Sequence, residues 1–212
     1  QWVPPGQALP RDADVVVLFG TKSTLGDLAF MREQKWDQDV HAHARAGGRV
    51  LGICGGYQML GKSIFDPHGH DGMPGTAEGL GLLDIETAMT GEKRVATIDA
   101  ISPLIDDPVS GYEIHIGESF GPDTQRPIFK VNGKADGASS ANGLIEGTYL
   151  HGVFSHDGFR QAWLRSVRGS FESVLNYEDS VETALDELAD GVERAIDIDH
   201  LFALAKRPAP AG

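Results

Sequence analysis

"GGRVLGICGGYQMLG", residues 47–61, places the chain's only cysteine, Cys54, between a short apolar run and a pair of glycines. A β-branched run that ends in Gly-x-Cys-Gly-Gly and passes without a linker into Tyr57–Leu60 reads as strand, sharp turn, helix. Such a turn tolerates only small neighbours. It lifts a side chain to the top of a sheet and aims backbone N–H groups and a positive helix end at it, which predicts a lowered thiol pKa and a place for an oxyanion. The other reading is that Cys54 only packs, since free cysteine is among the most buried residue types. Spacing alone leaves the two readings level.

Upstream, "ADVVVLFG" (13–20) is a β-branched run stopped by glycine, which predicts a strand buried on both faces. "TLGDLAFMREQKWDQDVHAHARAGG" (24–48) carries Leu25, Leu28, Met31, Trp36 and Val40 and ends in Gly-Gly, which predicts helix. Strand, helix, strand with glycine turns predicts a parallel α/β sheet. Downstream, "GYQMLGKSIF" (56–65) can continue as helix, and "DPHGHDGMPGTAEGLGLL" (66–83) is too rich in glycine and proline for anything but a surface loop. From Leu82 to Gly133 short alternating stretches recur between turn residues, predicting antiparallel strands. "LIEGTYLHGVF" (144–154) reads as a buried strand and a glycine turn. The last third repeats apolar residues at helical spacing (Leu185, Leu188, Val192, Ile196), and residues 206–212 read as a disordered tail. One domain over 1–205 is the expected organisation.

Thirty-one acidic against eighteen basic residues give a net charge of -13, which disfavours nucleic acid and anionic membranes as partners. No apolar run approaches the ~20 residues of a membrane span. A single cysteine makes no internal disulfide and no leader is visible, so the cytoplasm is the expected compartment. Asp66, His68, His70 and Asp71 lie close enough in sequence to suggest a metal, but no distant ligand completes a shell and a solvated loop is the better reading. No metal is therefore expected. His41 and His43, two apart on a helix, point to different faces and read as surface residues.

"GICGGYQ" (52–58) matches Gly-x-Cys-x-Gly-x-Gln, the nucleophile motif of the class I (triad) glutamine amidotransferases, at every fixed position. "KSTLGDLAFMR" (22–32), "EGLGLLDIET" (78–87), "GYEIHIGES" (111–119) and "GTYLHGVF" (147–154) follow the order found in the C-terminal amidotransferase domain of the cobyric acid synthase family. The chain resembles that family over nearly its whole length. The resemblance implies a flavodoxin-like α/β fold, with a mostly parallel central sheet between helices and an antiparallel insertion mid-chain. It makes Cys54 the nucleophile, His151 the proton carrier, Gly20 and Gly55 the oxyanion donors, and Gln58 part of the glutamine pocket. Most triad enzymes continue His-x-Glu, but this chain has Val153, and Glu113 or Asp157 are the candidates for an orienting acid. Glu113 and His115 alternate onto one strand face, which reads equally as a site wall or a cross-strand polar pair.

The resemblance also implies a cytoplasmic enzyme that hydrolyses glutamine and hands ammonia to an N-terminal synthetase domain, where ATP, Mg²⁺ and the corrin substrate bind. No Gly-x-x-x-x-Gly-Lys-Ser/Thr phosphate loop occurs here, so this chain is expected to hold no cofactor. A further strand and helix are expected ahead of Gln1. Two rival readings stay open: the glutaminase of a cell-wall precursor ligase, and a non-catalytic amidotransferase-like module.

Overall fold

The computed structural model describes residues 1–172 and 175–205, and the tail expected at 206–212 lies outside them. The chain divides into two units, Gln1–Glu172 and Ser173–Gly212.

The first unit opens with β1 (Val15–Leu18), α1 (Thr24–Glu33), α2 (Trp36–Arg45) and β2 (Arg49–Ile53), and β1 and β2 pair in parallel. The long helix expected over 24–48 is broken at Lys35, whose φ of 63° is left-handed. The N-terminal segment is laced to the break: the Trp36 indole donates to Gln7 O (2.7 Å), and Gly6 N–H donates to the Gln34 side chain (2.7 Å). These contacts span some 30 positions and leave no local trace in sequence. His41 and His43, expected on the surface, are half-buried and tie α2 down. His41 bonds to Asp37 O and Leu80 O (2.7 Å each), and His43 bonds to Arg49 O (2.9 Å).

Helix α3 (Gly55–Leu60) stops at Gly61, and Ser63–Asp66 is β3 rather than its continuation. The residues expected to be wholly loop supply β4 (Gly75–Glu78), antiparallel to β3. Alternation decides the matter: Ile64 is buried while Phe65 is exposed, as in a strand covered on one face. The antiparallel insertion then forms as expected: β5 (Glu86–Ile101), β6 (Val109–Phe120), β7 (Phe129–Val131) and β8 (Lys134–Asp136), the last two joined at Asn132-Gly133, both with positive φ. Strands β9 (Ala138–Ser139), β10 (Ile145–Thr148), β11 (Leu150–His151) and helix α4 (Asp157–Val167) complete the unit.

Two sheets result. One runs β1-β2-β10-β9, parallel except for β9, and the other runs β11-β6-β5-β3-β4 with β7 and β8 attached. Residues expected as one strand, Leu144 to His151, therefore serve both: β10 lies beside β2, and after Tyr149 β11 lies beside β6. Leu28, Val40, Tyr57 and Leu60 bury one face of the parallel sheet, and Phe159 and Trp163 of α4 pack with Leu51 and Ile53 on the other. Each such large side chain contributes roughly 1.5–3 kcal/mol.

In the second unit, α5 (Tyr177–Ala195) and α6 (Ile198–Leu204) carry the expected helical periodicity. Asn176 and Asp197 cap them by accepting from Asp179 N–H and His200 N–H.

Candidate active site

Cys54 ends β2 and caps α3 with φ 54° and ψ -113°, a conformation that L residues avoid and that the surrounding packing imposes. The glycines around it make that packing possible. A β carbon on Gly52 would fall 2.7 Å from Tyr57 Cα, and one on Gly56 would fall 2.1 Å from Leu18 O, so α3 starts in direct contact with β1 and β2. Positions 52 and 56 must lack side chains for the turn to close.

The thiol donates to Ile114 O (3.3 Å), which fixes the sulfur beneath β6. Burial pushes its pKa above the ordinary value. The Gly55 N–H facing the sulfur pulls it back, and the Asp71 carboxylate pushes it up again. The shift runs opposite to the lowered thiol pKa expected from the helix end, because desolvation of the buried sulfur outweighs the single Gly55 N–H that faces it.

His151 reaches the same place from β11. The point that a β carbon on Gly20 would occupy lies 3.0 Å from His151 Cε1, 3.3 Å from Cys54 Cβ and 3.8 Å from Cys54 Sγ. Thiol and imidazole therefore flank one spot, and only glycine at position 20 leaves it open. Burial lowers the His151 pKa, and its Nε2 has no hydrogen-bond partner among the described residues. The imidazole stacks on Tyr112 of β6 (5.0 Å, 8° between planes), its register partner across the two strands.

The two candidate acids are engaged elsewhere. Glu113 points to the opposite face of β6 and pairs with Arg94 of β5, 2.6 Å from Nε, at an angle that makes no hydrogen bond and leaves Oε2 orphaned. Asp157, at the start of α4, pairs with Arg160. Val153, which stands in place of a His-x-Glu acid, is buried in the core.

Gln58 is also buried. Its Oε1 accepts from the Thr24 hydroxyl (3.1 Å), and its Nε2 donates to Ile116 O (3.0 Å) and Tyr149 OH (3.3 Å). Its amide therefore ties α1, α3 and β6 together beneath the site. Tyr149 continues the network to Ser119 (2.7 Å), and its ring stacks on His115 at 3.9 Å. Sequence reasoning named neither Tyr149 nor Tyr112. Both lie inside the quoted segments "GTYLHGVF" and "GYEIHIGES", but only the third dimension gives them roles. Glu113 and His115 share a cleft of about 590 Å³ with Arg94, Lys134 and Asp136, on the face of β6 away from His151.

A sheet whose parallel strands lift a cysteine to a glycine-built elbow, faced by a histidine from the neighbouring sheet, is the architecture of the glutamine amidotransferases. Two solved structures share the fold. PurLQS from Thermotoga maritima has a TM-score of 0.59 at 16% identity, covering 79% of this chain and 86% of that one. A structure described as a glutamine amidotransferase has a TM-score of 0.51 at 16% identity, covering 74% and 79%. Residues 1–159 match the CobB/CobQ-like glutamine amidotransferase domain, and the chain belongs to that family. It is 57% identical over 207 residues to a cobyric acid synthase from Hyphomonas neptunium and 59% identical over 204 residues to one from Paracoccus denitrificans. These alignments cover 98% and 96% of the chain but 42% of each relative, so the chain spans about two fifths of the relatives' length.

Proposed function

We propose that this chain is the glutamine-hydrolysing part of a cobyric acid synthase, supplying ammonia for the amidation of corrin carboxylates. The observation that carries the chemistry is the convergence of Cys54 and His151 on the space kept open by Gly20. The reading of substrate and pathway rests on the names of the relatives.

In this proposal His151, neutral at rest, takes the thiol proton as sulfur attacks the side-chain carbonyl carbon of glutamine. The N–H groups of Gly55 and Gly20 stabilise the oxyanion. The imidazolium returns the proton to the departing nitrogen, the C–N bond breaks, and ammonia leaves a glutamyl thioester. Water then adds with His151 again as base, the C–S bond breaks, and glutamate leaves with the thiol restored. Stacking on Tyr112 holds the imidazole. Gln58 shapes the glutamine pocket by fixing the elements around it. ATP and Mg²⁺ belong to the synthetase portion of the longer protein, which uses the ammonia, and the compartment is the cytoplasm. Among the described residues no helix is long and apolar enough to cross a membrane.

Release of glutamate from glutamine tests the assignment. Cys54→Ser is expected to abolish it, because a hydroxyl without a strong base is a far poorer nucleophile. His151→Ala is expected to slow it by at least ~100-fold. Near-wild-type turnover in either variant, with the fold intact by circular dichroism, would rule the proposal out.

A further inference from the structure

The "DPHGHDG" segment, residues 66–72, plays no part in the chemistry above, yet it is built rather than loose. Asp66 is fully buried, and its two carboxylate oxygens accept from His70 N–H and Asp71 N–H at 2.9 Å each, a compact turn in place of the solvated loop expected from its composition. That turn presents Asp71 to the start of α1, where its Oδ2 accepts from Thr24 N–H. Ser23, at the cap position of α1, makes no side-chain cap of its own. A β carbon on Gly72 would come within 3.3 Å of Ser23 Oγ, so the turn rests directly on the segment that leads back through Thr21 to Gly20. The Thr21 hydroxyl in turn accepts from Ser23 N–H (3.0 Å) and donates to Asp27.

We infer that Asp71 is a positioning residue for glutamine hydrolysis: by capping α1 from 47 residues away it fixes the 20–23 loop, and with it Gly20, against Cys54 and His151. A helix N-terminus leaves unsatisfied N–H groups, and a cap supplied by its own Ser would hold only the helix. A cap supplied by a distant turn holds the loop between the two elements as well. The arrangement has a cost, since the Asp71 charge opposes the thiolate. The other titratable groups near the sulfur are His151 of β11 and Tyr149 of the β10–β11 joint. A neutral acceptor at position 71 would keep the cap and remove the opposing charge.

This inference rests on Cys54 being the nucleophile, and three measurements on the full chain separate the two claims. Glutamine turnover by Asp71→Ala is expected to show kcat about tenfold lower with KM nearly unchanged, because a loose oxyanion donor weakens the transition state more than the ground state. Asp71→Asn, whose amide oxygen still accepts from Thr24 N–H, is expected to recover most of kcat and to shift the pH profile of Cys54 alkylation by iodoacetamide to lower pH. Amide exchange at Thr24 is expected to be fast in Asp71→Ala and slow in Asp71→Asn. Wild-type kcat in Asp71→Ala, or Asp71→Asn no better than Asp71→Ala, overturns the inference. If the wild-type chain does not turn over glutamine, the nucleophile reading fails, and Thr24 exchange still decides the cap: equal exchange in both variants overturns it.

Discussion

At Cys54 two opposite shifts set the resting state. Burial holds the thiol above its ordinary 9.0 and holds His151 below its ordinary 6.5, so at neutral pH the pair is thiol and imidazole rather than an ion pair. In the proposed reaction, proton transfer would then accompany attack instead of preceding it. The acid limb of kcat/KM for glutamine is expected below pH 6.5, because a depressed pKa keeps His151 neutral, and able to accept a proton, to lower pH. Alkylation of Cys54 by iodoacetamide should still be rising above pH 9. A thiolate plateau already at pH 6 would mean a preformed ion pair. The sharp strand-to-helix turn at Cys54 was legible, because Gly-x-Cys-Gly-Gly is a steric requirement written into consecutive residues. The thiol's pKa direction was not, because β6, which buries the sulfur, lies some 60 residues away.

Among the elements, the joint at Tyr149 does most to build the site. It passes the chain from the parallel sheet to the antiparallel one within two residues, and so sets His151 beside Tyr112 instead of extending β10. Gly147, two residues before the joint, packs against the buried Tyr57 ring, where a β carbon would fall 2.1 Å from Cδ2. Gly147→Ala is expected to destabilise the fold by about 1–3 kcal/mol, the usual cost of overpacking, and to slow glutamine hydrolysis by displacing the joint. A thermal melt and turnover unchanged from wild type would contradict the role given to the joint. Strands with plain alternation, β5 and β6, were readable. The break at Lys35, the strands within 63–78 and the sheet switch at Tyr149 were not, because distant partners determine all three: residues 6–9, β5, and β6.

Across the whole molecule, the cleft behind β6 carries a pH dependence of stability separate from that of catalysis. Burial raises Asp136 from 3.8 to about 6, with Glu113 nearby pushing the same way. Its folded pKa lies above its unfolded one, so the folded state binds the extra proton and loses relative stability as pH rises from about 4 to 6. Above that the loss is complete. Asp136→Asn, which can still accept from the Thr148 hydroxyl, is expected to raise the melting temperature at pH 7, by an amount equivalent to about 3 kcal/mol, and to leave it unchanged near pH 3.5. His115, lowered to about 4, acts in the opposite sense, costing stability as pH falls from 6.5 toward 4, and is common to both proteins in that comparison. Equal melting temperatures at both pH values would mean that Asp136 titrates normally. The most direct test of Cys54 as the nucleophile toward glutamine is labelling with a glutamine-directed alkylator, 6-diazo-5-oxo-L-norleucine, read by peptide mass spectrometry. A single adduct on Cys54 is expected, suppressed by excess glutamine and slowed in His151→Ala. A Cys54 that reacts with iodoacetamide but not with the glutamine analogue, or labelling that glutamine does not suppress, would contradict it.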